Sequence, residues 1–445
     1  MSRRNRRFGV AVLAAAVAVL ASAAAASAGN GSDFNYVPDS FQGPAVVNPT
    51  FPGVGNDCTP LFGTPFTISC FDPQEMREAY NVPSSLDGAG QTIVIVDAYG
   101  DPQIESDLAG FDRLFGLDAP PSFTIYHASA TQKAGIHDAS GWAGETALDV
   151  EWAHAIAPKA NIVLVEAPSS SGNAINTVER QIIPKYPGAI VSQSFGLQES
   201  AIQGGANNTQ VQQAHDNYQQ FASLGDTIIA SAGDFGASNG TAVNSPQYPA
   251  SDPLVTSIGG TQALPYPLGL CPSATAADAA NDICSYGGEQ TWNEPDIASV
   301  PVATGGAPSL IWPAPSYQTG LTGVSTRAVP DVAYDAAING GVLVDVEGGF
   351  GLYGGTSCGS PQWAGIMALV NQARAAEHKA GIGTPNAALY GIYTGPNYHA
   401  DFHDITVGDN TLAGQPLAGF SAGTGYDLTT GIGTPNVANL ISDLK

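Results

Sequence analysis

TIVIVDA, residues 92–98, is the stretch whose reading decides the fold. Its first five residues are all β-branched, and they run without polar alternation. Such a strand needs cover on both faces, which is the habit of a parallel sheet between two helical layers. Working outward, PQIESDLAGFDRLFG (102–116) reads as an amphipathic helix and FTIYHA as a strand. The helix GETALDVEWAHAIAP (144–158), the strand NIVLVEA (161–167) and the helix NAINTVERQII (173–183) follow. The strand AIVSQSFG, the helix TQVQQAHDNYQQFASLG (209–225) and the strand TIIASAG (227–233) complete the run. This alternation predicts an α/β fold, a mostly parallel central sheet with helices on both faces. Residues 234–355 are looser, with a strand at 254–258. A long helix starts near Ser357 and runs to about Lys379, and a Gly-rich, loop-like tail follows residue 380.

The chain has 445 residues, and its ends differ in character. MSRRNRRF is basic, GVAVLAAAVAVLASAAAA is apolar, and Ala26-Ser27-Ala28 is a small-residue cleavage site, so residues 1–28 read as a secretory signal. Residues 29–75 are rich in Gly, Pro, Asn and Ser and read as an irregular N-terminal extension or short propeptide. Residues 76–445 then form one domain. The formal charge of −25 drops by four more when the leader's arginines leave. An acidic, Lys-poor exported chain is expected to bind neither nucleic acid nor an anionic membrane surface, and to act as a secreted monomer. Such a surface suits either solubility or work in acid, where many carboxylates become neutral. Of five cysteines, Cys58 with Cys70 and Cys271 with Cys284 lie close in sequence and are expected to form small-loop disulfides, leaving Cys358 over.

At about 100° per residue, Glu145, Leu148, Asp149, Trp152 and Ile156 share one face of their helix, with Glu151 and His154 on the other. Two carboxyls on an apolar face cost free energy unless protonated, bonded to each other or bound. His154 reads as a surface residue and His137 as part of a polar loop. GGTSCGSPQWAG (354–365) sets Ser357 where a Gly-rich turn enters a helix, as a nucleophile or an ordinary N-cap. No histidine lies in a subtilisin-type motif, so the carboxyl pair is the better candidate base. SAGDFGAS (231–238) ends a strand with Asp234, at the edge where α/β sheets place their sites.

These three stretches, in this order, resemble the sedolisin family of serine-carboxyl peptidases, which have a subtilisin-like fold. The likeness runs from about residue 76 to the C-terminus. It implies that Ser357 is the nucleophile, Glu145 the base that takes its proton, Asp149 the partner that orients Glu145, and Asp234 a protonated donor in the oxyanion hole. Asp97 in IVIVDAYG sits where some relatives extend the carboxyl relay. The tail stretches HDITVGDN (403–410) and SAGTGYDLTTGIGTP (421–435) look like the family's C-terminal calcium-binding loop region. The resemblance gives one structural calcium ion the carboxylates of Asp404 and Asp427, the main-chain oxygens of Ile405, Gly423 and Gly425, and water. The expected activity is therefore endopeptidase action on protein or peptide substrates in acid. Two features depart from the pattern: the extension does not look like the family's long folded propeptide, and Cys358 directly follows the nucleophile. Two alternatives stay open, an esterase using G-T-S-C-G with Asp401, His399 or His403, and a catalytically silent binding protein on the same scaffold.

Overall fold

The structure is a computed structural model that describes residues 33–46, 68–128, 141–264, 285–295 and 300–445. The leader, His137, Cys58, Cys271 and Cys284 lie outside the described residues. Among the described residues no helix is long and apolar enough to cross a membrane.

Across the main sheet the strands run Glu289–Thr291, Thr256–Ala263, Thr227–Ser231, Ile190–Gln193, Thr92–Ala98, Asn161–Ala167 and Phe123–His127, with Val332–Asp335 also paired to Thr256–Ala263. Every pairing is parallel except that of Glu289–Thr291. The period of two sends Ile93 and Ile95 to one helical layer, and Val94 and Val96 to the other. Each such side chain contributes on the order of 2 kcal/mol by leaving water. After Thr92–Ala98 the chain builds Phe123–His127 and Asn161–Ala167 to one side, then crosses to Ile190–Gln193 on the other. The carboxyl ends of strands at such a reversal open a crevice. Asp97 lies at that end of its strand, Ser194 directly follows Gln193, and Asp234 follows Ser231 by one short turn.

The helix Trp142–Ile156 carries the sequence's two acids, and from Ala147 to Ile156 it is buried on every side. The helix Gly359–Ala376 packs against it so closely that a Cβ on Gly365 would stand 2.7 Å from the Cβ of Ile156. On its outer side lies a second, four-stranded sheet of Phe41–Ala45, Gly349–Gly354, Gly341–Val346 and Cys70–Phe71. Trp152 donates its indole N–H to the Leu343 carbonyl there at 3.0 Å. The reading of His154 as a surface residue is corrected: it is fully buried, as is Glu151 on the same side of the helix. Glu151 accepts the Asp345 N–H at 3.0 Å, and His154 Nε2 lies 3.1 Å from both Asp112 Oδ1 and the Asp118 carbonyl.

Elsewhere the structure refines the expected boundaries. The strand read through AIVSQSFG breaks at Ser194 into Ile190–Gln193 and Phe195–Gln198. The strand expected at 254–258 is Thr256–Ala263. Ser357 sits in a 3-10 turn, Thr356–Cys358, ahead of the long helix. The described parts of the N-terminal extension are not loose. Val37–Pro38 pairs antiparallel with Phe195–Gly196, and Phe41–Ala45 pairs with Gly349–Gly354. Cys70 is disulfide-bonded, to a partner outside the described residues.

Candidate active site

The helix Trp142–Ile156 holds Glu145 and Asp149 one turn apart, both at 0% exposure. Burial first, then the charge of Asp149, pushes the Glu145 carboxyl well above its ordinary range, with the Ser357 and Ser40 hydroxyls beside it opposing the rise. Within the described residues neither Glu145 oxygen has a well-aligned hydrogen-bond donor. Asp149 Oδ1 accepts the Ser194 hydroxyl at 2.7 Å, while Oδ2 is unpartnered. Its carboxyl too is raised by burial and then by Asp97. Asp97, fully buried, is pushed up to about 7 by burial, opposed by the Thr146 hydroxyl. Three carboxyls thus share one dry space, where desolvation and mutual repulsion raise their titration as a group, so that one carboxylate able to act as a base is held among neutral neighbours.

Ser357 approaches this group from the turn before the long helix and is itself fully buried. Its hydroxyl faces the Ser194 carbonyl at 3.4 Å, a long contact that leaves the oxygen free to turn to the adjacent Glu145. Asp234 reaches the same turn from the sheet side. Its Oδ1 accepts both the N–H and the hydroxyl of Thr356, each at 2.8 Å, so Oδ2 is the oxygen left to carry a proton. Burial and then the charge of Asp39 raise this carboxyl well above its ordinary range. Gly355 is required between them: its φ is +115°, and a Cβ there would stand 2.4 Å from Asp234 Oδ2.

The four side chains singled out in the sequence therefore meet in one buried cluster. Cys358 packs beside them with its thiol pushed upward by burial and by the neighbouring carboxyls, the reverse of what a reactive thiol needs. Sequence reasoning missed Ser194, Thr356, Asp39 and Ser40. The SQS that closes a buried strand was the one local signal for Ser194. The histidines of the esterase alternative are engaged elsewhere, His403 stacked on Tyr286 at 3.6 Å and His399 against Tyr398 at 4.6 Å.

In the tail, the two carboxylates assigned to calcium converge on one turn. Asp404 accepts the Gly425 N–H at 3.0 Å through both oxygens, and Asp427 Oδ2 accepts the Gly423 N–H at 3.0 Å. Asp427 Oδ1 is fully occupied by Thr429 and Thr430. Gly425 has φ +78°, and Ile405 is buried. Among the described residues no three His, Cys, Asp or Glu side chains are set to hold a metal. A cation here would depend on the two carboxylates plus carbonyls, an all-oxygen set that fits a hard ion.

No family model matches the chain. Over 390 residues it is 32% identical to kumamolisin of Bacillus sp. (strain MN-32), covering 84% of this chain and 64% of that protein. It is 28% identical over 394 residues to sedolisin of Pseudomonas sp. (strain 101), covering 85% of this chain and 62% of that one. Human tripeptidyl-peptidase 1 is 26% identical over 408 residues, with 84% and 64% covered. The chain thus spans just under two thirds of the length of these relatives. The solved structure of Pseudomonas sedolisin, a serine-carboxyl proteinase complexed with two molecules of pseudo-iodotyrostatin, matches with a TM-score of 0.71 at 27% identity. That match covers 85% of this chain and 98% of that one.

Proposed function

Because the chain belongs to the sedolisin family, we propose that it is a secreted serine-carboxyl endopeptidase that hydrolyses peptide bonds in acid. The observation that carries this reading is the ring of buried carboxyls around Ser357, with no imidazole in reach of its hydroxyl among the described residues. Ser357 Oγ attacks the carbonyl carbon of the substrate, and its proton passes to Glu145. Asp149, anchored by Ser194, holds Glu145 in place and shares its proton. Negative charge gathers on the former carbonyl oxygen, which the Ser357 N–H and the protonated Asp234 stabilise; one such donor is worth on the order of 3 kcal/mol. As the intermediate collapses, the C–N bond breaks and Glu145 returns the proton to the leaving amine. Water then repeats the sequence on the acyl-enzyme, releasing the carboxylic acid and the serine hydroxyl.

The calcium assignment belongs to the same reading. Asp404 and Asp427 would hold the ion together with the carbonyls of Ile405, Gly423 and Gly425. The ion would supply no chemistry to the reaction; it would tie residues 404–405 to the 423–427 turn. The test of the whole proposal is hydrolysis of acid-denatured casein at about pH 4. Wild type should cleave it, with Ser357→Ala and Glu145→Ala reduced by at least a thousandfold. Full casein hydrolysis in Glu145→Ala would take Glu145 out of the mechanism; none in wild type would favour the esterase if ester substrates are cleaved, and the silent scaffold if they are not.

A further inference from the structure

The cleft around Ser357 is filled by the chain's own N-terminal segment, and the segment lies there as a substrate would. Val37 and Pro38 pair antiparallel with Gly196 and Phe195, forming the outer strand of a small sheet completed by Gln247–Tyr248. The Asp39 N–H donates to the Ser194 carbonyl at 3.2 Å. The Asp39 carbonyl accepts the Ser357 N–H at 3.2 Å. A Cβ built on Gly355 would stand 2.4 Å from this carbonyl oxygen and 2.4 Å from Asp234 Oδ2, so the two oxygens face each other across the glycine. The next residue, Ser40, sets its hydroxyl against Glu145. One peptide bond therefore has its carbonyl oxygen between the two oxyanion donors and its amide side beside the group that protonates a leaving amine.

The Asp39 side chain is held as specifically as its backbone. Ser231 donates its hydroxyl to Asp39 Oδ2 at 2.7 Å, and the Gln247 side-chain amide donates to the same oxygen. Gln247 is itself buried between two glycines: a Cβ on Gly196 would strike its Cγ, and one on Gly233 would reach its Oε1 at 2.9 Å. Further back, Tyr36 is buried against the Phe195 ring at 4.8 Å, and its N–H donates to the Ser170 carbonyl at 2.8 Å.

We propose that Asp39–Ser40 is a bond the enzyme cuts in its own chain, and that the Ser231–Gln247 pocket selects an aspartyl side chain on the acyl side of the bond cleaved in any substrate. The proposal rests on the peptidase reading. Ser357 Oγ bonds to the Asp39 carbonyl carbon and gives its proton to Glu145. The bond to the Ser40 nitrogen breaks, and that nitrogen takes the proton from Glu145 to become a new amino terminus. Water hydrolyses the Asp39 ester, and residues up to Asp39 leave with a free carboxyl end. Departure of that segment opens the cleft. Both pocket groups are neutral hydrogen-bond donors that fit a carboxyl oxygen and give a leucine side chain no polar partner.

The experiment follows the secreted full-length chain, purified near neutrality and shifted to about pH 4, by intact mass and N-terminal sequencing. The expected product begins at Ser40, appears with a first-order rate unchanged over a hundredfold dilution, and is absent in Ser357→Ala. Asp39→Leu should slow its appearance at least tenfold. Because that variant removes a buried contact, the same pocket is probed in trans: the processed enzyme should cut Tyr-Val-Pro-Asp-Ser-Phe at least tenfold better in kcat/KM than the peptide with Leu for Asp. Gln247→Leu should bring that ratio to near unity. Casein hydrolysis with the terminus elsewhere, or with no preference for Asp, overturns the inference and leaves the peptidase reading standing. A Ser40 terminus that also forms in Ser357→Ala assigns the cut to another protease and overturns it too. No hydrolysis of casein or either peptide sinks both.

Discussion

Replacing Asp234 tests the least familiar part of the chemistry, a carboxyl that must stay neutral to donate. Its Oδ1 is taken by the Thr356 N–H and hydroxyl, so its contribution to the oxyanion comes through Oδ2 alone. The second donor, the Ser357 N–H, is untouched by the substitution. Asp234→Ala therefore removes one donor of two, and should cost about 3 kcal/mol, on the order of a hundredfold in kcat at pH 4. Asp234→Asn keeps the geometry: the amide oxygen accepts from Thr356 and the amide N–H takes the place of the acid proton. It should stay within about tenfold of wild type at pH 4, a margin of roughly 1.4 kcal/mol. The two variants also separate by pH. As Asp234 ionises it turns from donor to a charge that repels the oxyanion, whereas asparagine cannot ionise. The ratio of Asp234→Asn to wild-type activity should therefore climb from pH 4 to 7. The assay is kcat/KM on a fluorogenic peptide, with processed enzyme of verified N-terminus. A ratio that stays flat, or an Asp234→Asn enzyme as inactive as Asp234→Ala, would refute the protonated-donor argument.

Stability should carry the same acid signature away from the site. Glu179, fully buried between the side-chain amides of Gln193 and Asn217, is pushed from 4.5 to about 8, mainly by burial. Between those values the folded chain keeps a proton that the unfolded chain has released, so stability present in acid is lost as pH rises, by about 1.4 kcal/mol per unit for one such group. Urea unfolding of Ser357→Ala, which cannot digest itself, should show this slope between pH 5 and 8, and adding Glu179→Gln should flatten it; equal slopes would show that Glu179 does not hold the proton. Calcium removal by a chelator should lower the melting temperature of the same inactive protein by several degrees, and Asp427→Ala should abolish that difference. A melt indifferent to both would remove the ion from the account.

How much of this was legible in one dimension follows from what each signal encodes. Unbroken β-branched runs such as TIVIVDA admit few placements other than the middle of a covered parallel sheet, so that strand and NIVLVEA fall where the sequence puts them. Glu145, Asp149, Asp234 and Ser357 were singled out because three short motifs in order resemble those of a family, and the structure brings the four side chains into one buried cluster. A helical wheel gives the angle of a side chain but not what lies outside the helix. His154 was misread for that reason: it is buried against Asp112 and the Asp118 carbonyl, in and just after the helix Ile104–Phe115.

The N-terminal segment shows the other side of the division. By itself the sequence determined the sheet and its helical layers and pointed to four side chains that the fold gathers, since periodicity and short motifs are properties of neighbouring residues. Only the tertiary structure decided that Asp39 lies in the cleft. Nothing in residues 33–46 favours a strand locally. They become one because the edges of Phe195–Gln198 and Gly349–Gly354 present hydrogen-bonding groups that the rest of the described chain leaves unpaired, and an unpaired edge accepts any extended backbone that reaches it.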